Sequence, residues 1–459
     1  MNTIRAAAIV AGVAAVAGAA GGIDHVVARR SIDAPTAGEA RPAGVASRPD
    51  ALSSTWFCPG GPSAPGATQS GAIVLSNPTG TARAARVTVF PTTTGAGEVG
   101  SKTVTVVPHG TLMVRADDVS KGIGPGATEV LADGGGLVVT QMVRAADADV
   151  AGACAPAASD HWYVPVGSTA AGASTILDLF NPFATEAIVD LTFATTEGSK
   201  VPAELQGVVV PARAVYALDI GDSVRRQDAV ASLVTVRDGR VIVGRTFKKG
   251  AAATVGIAAP QPAPAWFFPV AARTDAPSRL TIMNPGDLDA DVTVEVRTDG
   301  DPIQPLTASV SAGGRTELLL DSPSLTKNTA VGLVVHAAED VPIVVERSVE
   351  AKTTRSDNLG VRVGGRKLVA NPVGRGTDAL AIVNLGDGDA AVKVSVLDGK
   401  GVPVITTLKV TTGSRVTIKL DDRAKGLAVM IDSDQELAAE RMGGEPSPTQ
   451  GALAAVVIP

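Results

Sequence analysis

The chain repeats itself at intervals of about one hundred residues, and this constrains its fold more than any other feature. An aromatic start closed by proline occurs as Trp56-Phe57-Cys58-Pro59, Trp162-Tyr163-Val164-Pro165 and Trp266-Phe267-Phe268-Pro269, spaced by 106 and 104 residues. A degenerate fourth start lies near Lys367-Leu368-Val369. About twenty residues later an apolar run ends in Asn, at Asn77, Asn181, Asn284 and Asn384, with spacings of 104, 103 and 100. A third column is Asp117, Asp219, Asp321 and Asp421, and a fourth ends a Val-rich run with Arg245, Arg347 and Arg441, where the first copy has Met142. In the last two copies Glu346 and Glu440 precede the Arg.

Inside each copy the period is two, as in Val292-Thr293-Val294-Glu295-Val296, which puts apolar side chains on one face of a strand. The third copy reads as eight short strands: 266–269, 280–283, 292–296, 308–310, 316–320, 332–336, 343–349 and 359–363. Asn284-Pro285-Gly286-Asp287 suits a β-turn, because Pro presets φ and the Asn side chain bonds back to the backbone, so the Asn column reads as architectural. Each Asp of the third column reads as the N-cap of a single helical turn. The fold class expected is therefore all-β: four tandem antiparallel β-sandwich, jelly-roll-like repeats. A propeller would need two dissimilar blades per copy. The boundaries fall at 56–157, 158–262, 263–364 and 365–459, and either beads or a pseudo-fourfold ring would accommodate them. Aromatic residues make up only 3% of the chain, so Val, Leu, Ile and Ala must fill the cores.

Before the repeats, Ala6 to Ile23 is an uncharged run of nine Ala, four Gly, three Val and two Ile after Arg5. Residues 1–23 read as a signal peptide with a cleavage point near Ala19, or as an uncleaved membrane anchor, and 24–55 as a flexible linker. Either reading places the rest outside the cytoplasm, secreted or anchored, with the membrane touched only through this segment. In such a compartment the two cysteines of the chain, Cys58 and Cys154, are expected to form a disulfide that staples the first copy.

Several function classes find no material. A net charge of −6, from 40 basic and 46 acidic residues with no long basic run, removes the electrostatic basis for nucleic-acid binding. Four His and two Cys leave little for metal or redox chemistry, so no metal site and no cofactor are expected. Ser159-Asp160-His161 has the residue types of a catalytic triad, but consecutive residues cannot face one another in those roles, and no catalytic residue is assigned. Asp287-x-Asp289-x-Asp291 opens like a calcium loop but has Val292 and Thr298 where Gly and Glu are required. Gly122-x-Gly124-x-Gly126 contains Pro125 and reads as a turn.

The order aromatic-x-x-Pro, strand, Asn-Pro, Ala-x-Val-x-Val, a turn with Arg (Gly314-Arg315, Ser414-Arg415) and then Asp340 with Pro342 to Arg347 looks like a secreted actinobacterial family of unknown function. It is more distantly similar to the sensory rhodopsin transducer family, a small β-sandwich that assembles as a tetramer and has been proposed as a small-molecule or sugar binder. The resemblance implies a non-catalytic module, favours a four-unit ring and supplies no binding residues. Two readings of the polar and aromatic columns follow. In one, Trp162 and Trp266 stack on a sugar while Arg245, Glu346, Arg347, Glu440 and Arg441 bind its hydroxyls, so the exported protein is a non-enzymatic binder of an envelope glycan or small polar molecule. In the other, these residues are core, and the chain is a structural spacer or a scaffold for another envelope protein.

Overall fold

The computed structural model describes residues 44–459 apart from 61–70, 93–98, 121–125, 146–147, 251, 272–276, 299–302, 322–324, 326–330, 351–354, 374–377 and 444–451. The N-terminal signal or anchor, the linker up to residue 43 and most of the Gly122 motif lie outside the described residues.

Alternation of apolar and polar side chains builds strands throughout. In the first stretch these are β1 (Ser53–Cys58), β2 (Ala72–Asn77), β3 (Arg83–Pro91), β4 (Gly100–Val106), β5 (Gly110–Arg115), β6 (Gly126–Asp133), β7 (Val138–Ala145) and β8 (Ala148–Ala153). They pair antiparallel in two four-stranded sheets, ordered β1-β6-β3-β4 and β5-β2-β7-β8, which face each other as a sandwich. The same strand order recurs in the next three stretches of chain, with Gly198–Lys200 added to a sheet of the second and Val456–Val457 to the fourth. In the third, seven of the eight expected strands coincide with Ala265–Phe268, Ser278–Met283, Ala290–Arg297, Leu306–Val310, Arg315–Leu319, Gly332–Ala337 and Val344–Glu350, while the last is Arg355–Leu359, earlier than expected. The fourth stretch differs at one corner. There Val429–Gly443 runs as a single fifteen-residue strand through the place where the first unit turns at Gly134 and Gly136, so its two sheets are joined through it. Its corner residues, Asp434-Gln435-Glu436, contain no Gly or Pro to break the extended backbone.

Each unit closes over a core of Val, Leu, Ile and Ala, and the cores run on across the boundaries. Phe57 and Phe90 of the first unit belong to the second unit's core. Ala194 and Ala231 of the second pack with the third, and Val369, Leu397, Ala428 and Met430 of the fourth pack with the first. The last strand of each unit, β8, Ala252–Ile257, Arg355–Leu359 and Ala452–Ala454, touches the last strand of the next, and the fourth of these touches the first. The chain thus closes on itself as a ring of sandwiches around these short strands.

The expected linker extends less far than residue 55. Residues 44–47 are packed, with Val45 bridging Val457 in parallel and Ala46 and Ser47 buried, while Arg48, Pro49, Asp50 and Leu52 are exposed along the surface of the first unit. Apolar residues at 45 and 46 make docking more favourable than leaving this segment in water.

Candidate functional site

The Asn column has the same geometry four times. Asn77, Asn181 and Asn384 end the second strand of their units, Asn284 directly follows its own, and all four are buried. Each Nδ2 donates to the carbonyl four residues on, at 2.7–2.8 Å, and to the carbonyl closing the fourth strand, Val106, Val210, Val310 or Val410, at 3.0–3.2 Å. Each Oδ1 accepts from the backbone N–H two residues on. One amide therefore makes the turn and ties the two sheets together. Pro is dispensable for this, since Asn384 makes the same bonds before Leu385.

The Trp column is internal. Trp56, Trp162 and Trp266 are at most 1% exposed, and each indole Nε1 donates to a backbone carbonyl, Leu137, Val241 or Ile343, at 2.8–3.0 Å. These rings have no face open to a sugar. The fourth unit places the smaller Leu368 at this position, in register with Ile431 as Trp266 is with Val335.

The Arg and Glu columns meet at the seams between units. Successive residues of a strand point to opposite faces, so the Glu and Arg of one unit reach different neighbours. Arg245 of the second unit pairs with Glu346 of the third at 2.7 Å, and Arg347 of the third pairs with Glu440 of the fourth through two bonds, 2.9 and 3.1 Å. Arg245 also donates to Val166 O at 3.0 Å, and Arg347 to Val270 O. All four side chains are buried. The structure therefore brings together Arg245 with Glu346 and Arg347 with Glu440, but not Glu346 with Arg347. Arg441 stays within its own unit, on Asp378 and on the carbonyls of Leu427 and Ala424. None of the seven residues expected to bind a ligand presents its polar groups or ring to solvent.

A wider cluster surrounds the second-to-third seam. Asp357 accepts from Arg355 at 2.8 and 3.0 Å and from Thr254 Oγ1 at 2.7 Å, and lies 3.4 Å from Arg245. Arg355 bonds Ser348 and Glu350 and stacks over Phe247 at 4.5 Å. Burial drives the Glu346 carboxyl upward; Arg245 pulls against it, Asp357 pushes with it, and the group is raised to about 7. Burial also acts upward on Asp357, but Arg355 and Arg245 outweigh it and hold Asp357 below the usual carboxylate range. Sequence reasoning missed Arg355 and Asp357. The signal was a charged pair in a last strand whose counterparts read Ala-Asp-Val-Ala-Gly-Ala and Ala-Ala-Thr-Val-Gly-Ile.

The other seams are fastened differently. Between the first and second units Met142 and Gly244 occupy the Arg and Glu columns, and a Cβ at Gly244 would stand 2.7 Å from Pro59, so the units touch where an ion pair would sit. Phe57, Phe90, Phe180 and Phe183 form an aromatic cluster there, with centroids 5.1–6.3 Å apart. Between the fourth and first units, Asn371 meets Ser76 at 2.7 Å and Thr140 at 2.9 Å. The expected disulfide is present, joining Cys58 of β1 to Cys154 just after β8.

The remaining motifs are occupied by local structure. Ser159 Oγ donates to Pro260 O while His161 Nδ1 contacts Asp160, so the three do not form a relay. Asp289 and Asp291 accept from Ala312 N and Ser309 Oγ, across their own turn and strand pair. Among the described residues no group of three His, Cys, Asp or Glu converges as metal ligands would. The third column caps helical turns at Asp219 and Asp421, each accepting from the N–H two residues on. Asp117 instead lies inside its turn, whose N-cap is Arg115 without a side-chain bond.

A family model described as "Family of unknown function (DUF5719)" matches residues 135–421. Among solved structures, the chain is similar to Thermotoga maritima 1070 at 22% identity, covering 22% of this chain and 94% of that one, with a TM-score of 0.19. It is also similar to a tetra-tandem repeat in the extending region of a large adhesion protein, at 13% identity over 82% of this chain and 91% of that one, with a TM-score of 0.11. No curated protein matches it.

Proposed function

Because the chain belongs to the family of unknown function DUF5719, whose model spans most of its repeats, we propose from its geometry that it is a non-catalytic structural module of the cell envelope, a rigid ring that spaces or docks other envelope proteins. One observation carries this reading: the recurring Trp, Asn, Arg and Glu side chains are buried and bonded within the protein, most of the charged ones across seams between units. Residues arranged this way hold neighbouring sandwiches together and offer nothing to a glycan. The extracytoplasmic location rests on the N-terminal apolar segment and on the Cys58–Cys154 bridge, which persists in oxidising compartments. The resemblance to a secreted actinobacterial family and to the sensory rhodopsin transducer sandwich adds weight to a non-enzymatic, exported module.

A screen of the exported protein against envelope polysaccharides and free sugars, read by thermal shift, tests this reading. The scaffold reading expects no shift, and it expects Trp266→Ala to cost about 3–5 kcal/mol of stability through the cavity it leaves. A saturable sugar-dependent shift that Trp266→Ala or Arg347→Ala abolishes without unfolding the protein would restore the glycan reading. A fusion of residues 1–55 to a reporter active only after export tests the location, and cytoplasmic activity of that reporter would contradict it.

A further inference from the structure

We infer that residues 44–52 form a strap that holds the ring shut between its first and fourth units, so that a load or a cut reaching the ring from its N-terminal side opens this seam before it disturbs any single sandwich. The strap belongs to neither unit alone. At one end its backbone extends the C-terminal strand of the fourth unit: Ala46 N–H donates to Val457 O at 2.9 Å and Val457 N–H to Gly44 O at 2.8 Å. At the other end its carbonyls hold the first unit. Ser47 O accepts from Gly136 N at 3.0 Å, Leu52 O from Gly134 N at 2.9 Å, and Pro49 O from Arg83 Nη2 at 3.0 Å. Ala46 packs in one cluster with Trp56 and Leu137 of the first unit and with Val456 and Ile458 of the fourth.

The run Gly134-Gly135-Gly136 makes room for this crossing. Gly134 and Gly136 have φ of +90° and +82°, and a Cβ on Gly135 would lie 1.7 Å from Arg48 O. The seam that has the strap is also one that lacks an ion pair between its Arg and Glu columns, because Arg441 is committed to Asp378 and the first unit has Gln141-Met142 in those columns. The chain enters the ring through the strap, so traction on residues before 44 acts first on the bonds to Val457.

Amide hydrogen exchange on the whole chain tests this with two variants. Gly135→Ala should displace the strap and speed exchange at least tenfold at Ala46 and Val457, and equally at Gly399 and Ala428, whose N–H groups cross the seam to His109 O and Thr111 Oγ1. Ala258 and Val361, bonded far from the seam at Val243 O and Phe267 O, should keep their protection. Exchange that quickens at Ala46 and Val457 while Gly399 and Ala428 stay protected would overturn the inference. If Gly135→Ala unfolds the whole chain, the pair Val45→Cys and Val457→Cys decides: once oxidised it should slow exchange at Gly399 and Ala428, and unchanged rates there would refute the strap's role.

Discussion

Removing one partner of the Arg347–Glu440 pair should be far more damaging than removing both. At 2.9 Å and an effective dielectric of ~20, two unit charges attract by about 6 kcal/mol, while taking each ion out of water costs several kcal/mol, so the intact pair contributes little net stability. Arg347→Met alone strips the guanidinium from the Glu440 carboxylate, which is 4% exposed and keeps a bond from the Val270 N–H. The expected loss is about 3–5 kcal/mol, and Glu440→Met should lose as much by stranding the guanidinium. The double variant Arg347→Met with Glu440→Met replaces the pair by apolar groups and should lie within about 2 kcal/mol of the parent, a coupling of several kcal/mol. Trp56, Trp162 and Trp266 are buried in the first three units, so denaturant titration followed by tryptophan fluorescence measures the four members of the cycle. Single losses below about 1 kcal/mol that simply add would refute the assignment of this pair to a dry seam.

Other consequences follow from the same structure. Asn284→Ala should cost about 2–4 kcal/mol in a thermal melt, since it strands the buried carbonyl of Val310 and dissolves the turn; a loss under 0.5 kcal/mol would show that the sheets do not need the clip. Reducing Cys58–Cys154, which closes a separation of 96 residues, should lower stability by about 4–5 kcal/mol, and an unchanged denaturation midpoint after reduction would contradict a stapling role. Glu346 is raised to about 7 in the folded protein, so the fold binds its proton more tightly than the unfolded chain does. Stability should therefore fall as pH rises from about 4.5 to 7, by up to about 1.4 kcal/mol per unit, and Glu346→Gln should flatten that slope; melts at pH 5 and pH 8 check it.

The fold was legible because its determinants are local and recur. The period-two pattern of Val292 to Val296 sets the faces of a strand wherever it lies, and an Asn at the end of an apolar run makes the same turn whether or not Pro follows. The Cys pair was legible by elimination, since no third thiol competes. The roles of the Arg and Glu columns were not. A buried Arg and a ligand-binding Arg look alike in one chain, and what separates them is the residue opposite, which here lies about one hundred positions away in the next unit. Arg245 finds Glu346 only after two sandwiches have packed, and no local pattern predicts which neighbour a strand faces. The Trp column misled for the same reason: a ring suited to stacking on a sugar is also suited to filling a core, and Val241 O decides for Trp162. The strap resembles a linker in sequence because 44–52 lacks periodicity; its order comes from Val457 and from the glycine run at 134–136.

Closure of the ring, with its recurring residues turned inward as fastenings, is tested most directly by cross-linking Ser76 to Asn371. These side chains meet at 2.7 Å although 295 residues separate them, and they belong to the first and last units. With Ser76→Cys and Asn371→Cys in the otherwise intact chain, peptide mass mapping after mild oxidation should find an intramolecular bond between them in nearly every monomer, alongside Cys58–Cys154. Free thiols at both positions, or bonds only between separate chains, would mean that the first and fourth units do not meet and would contradict the ring.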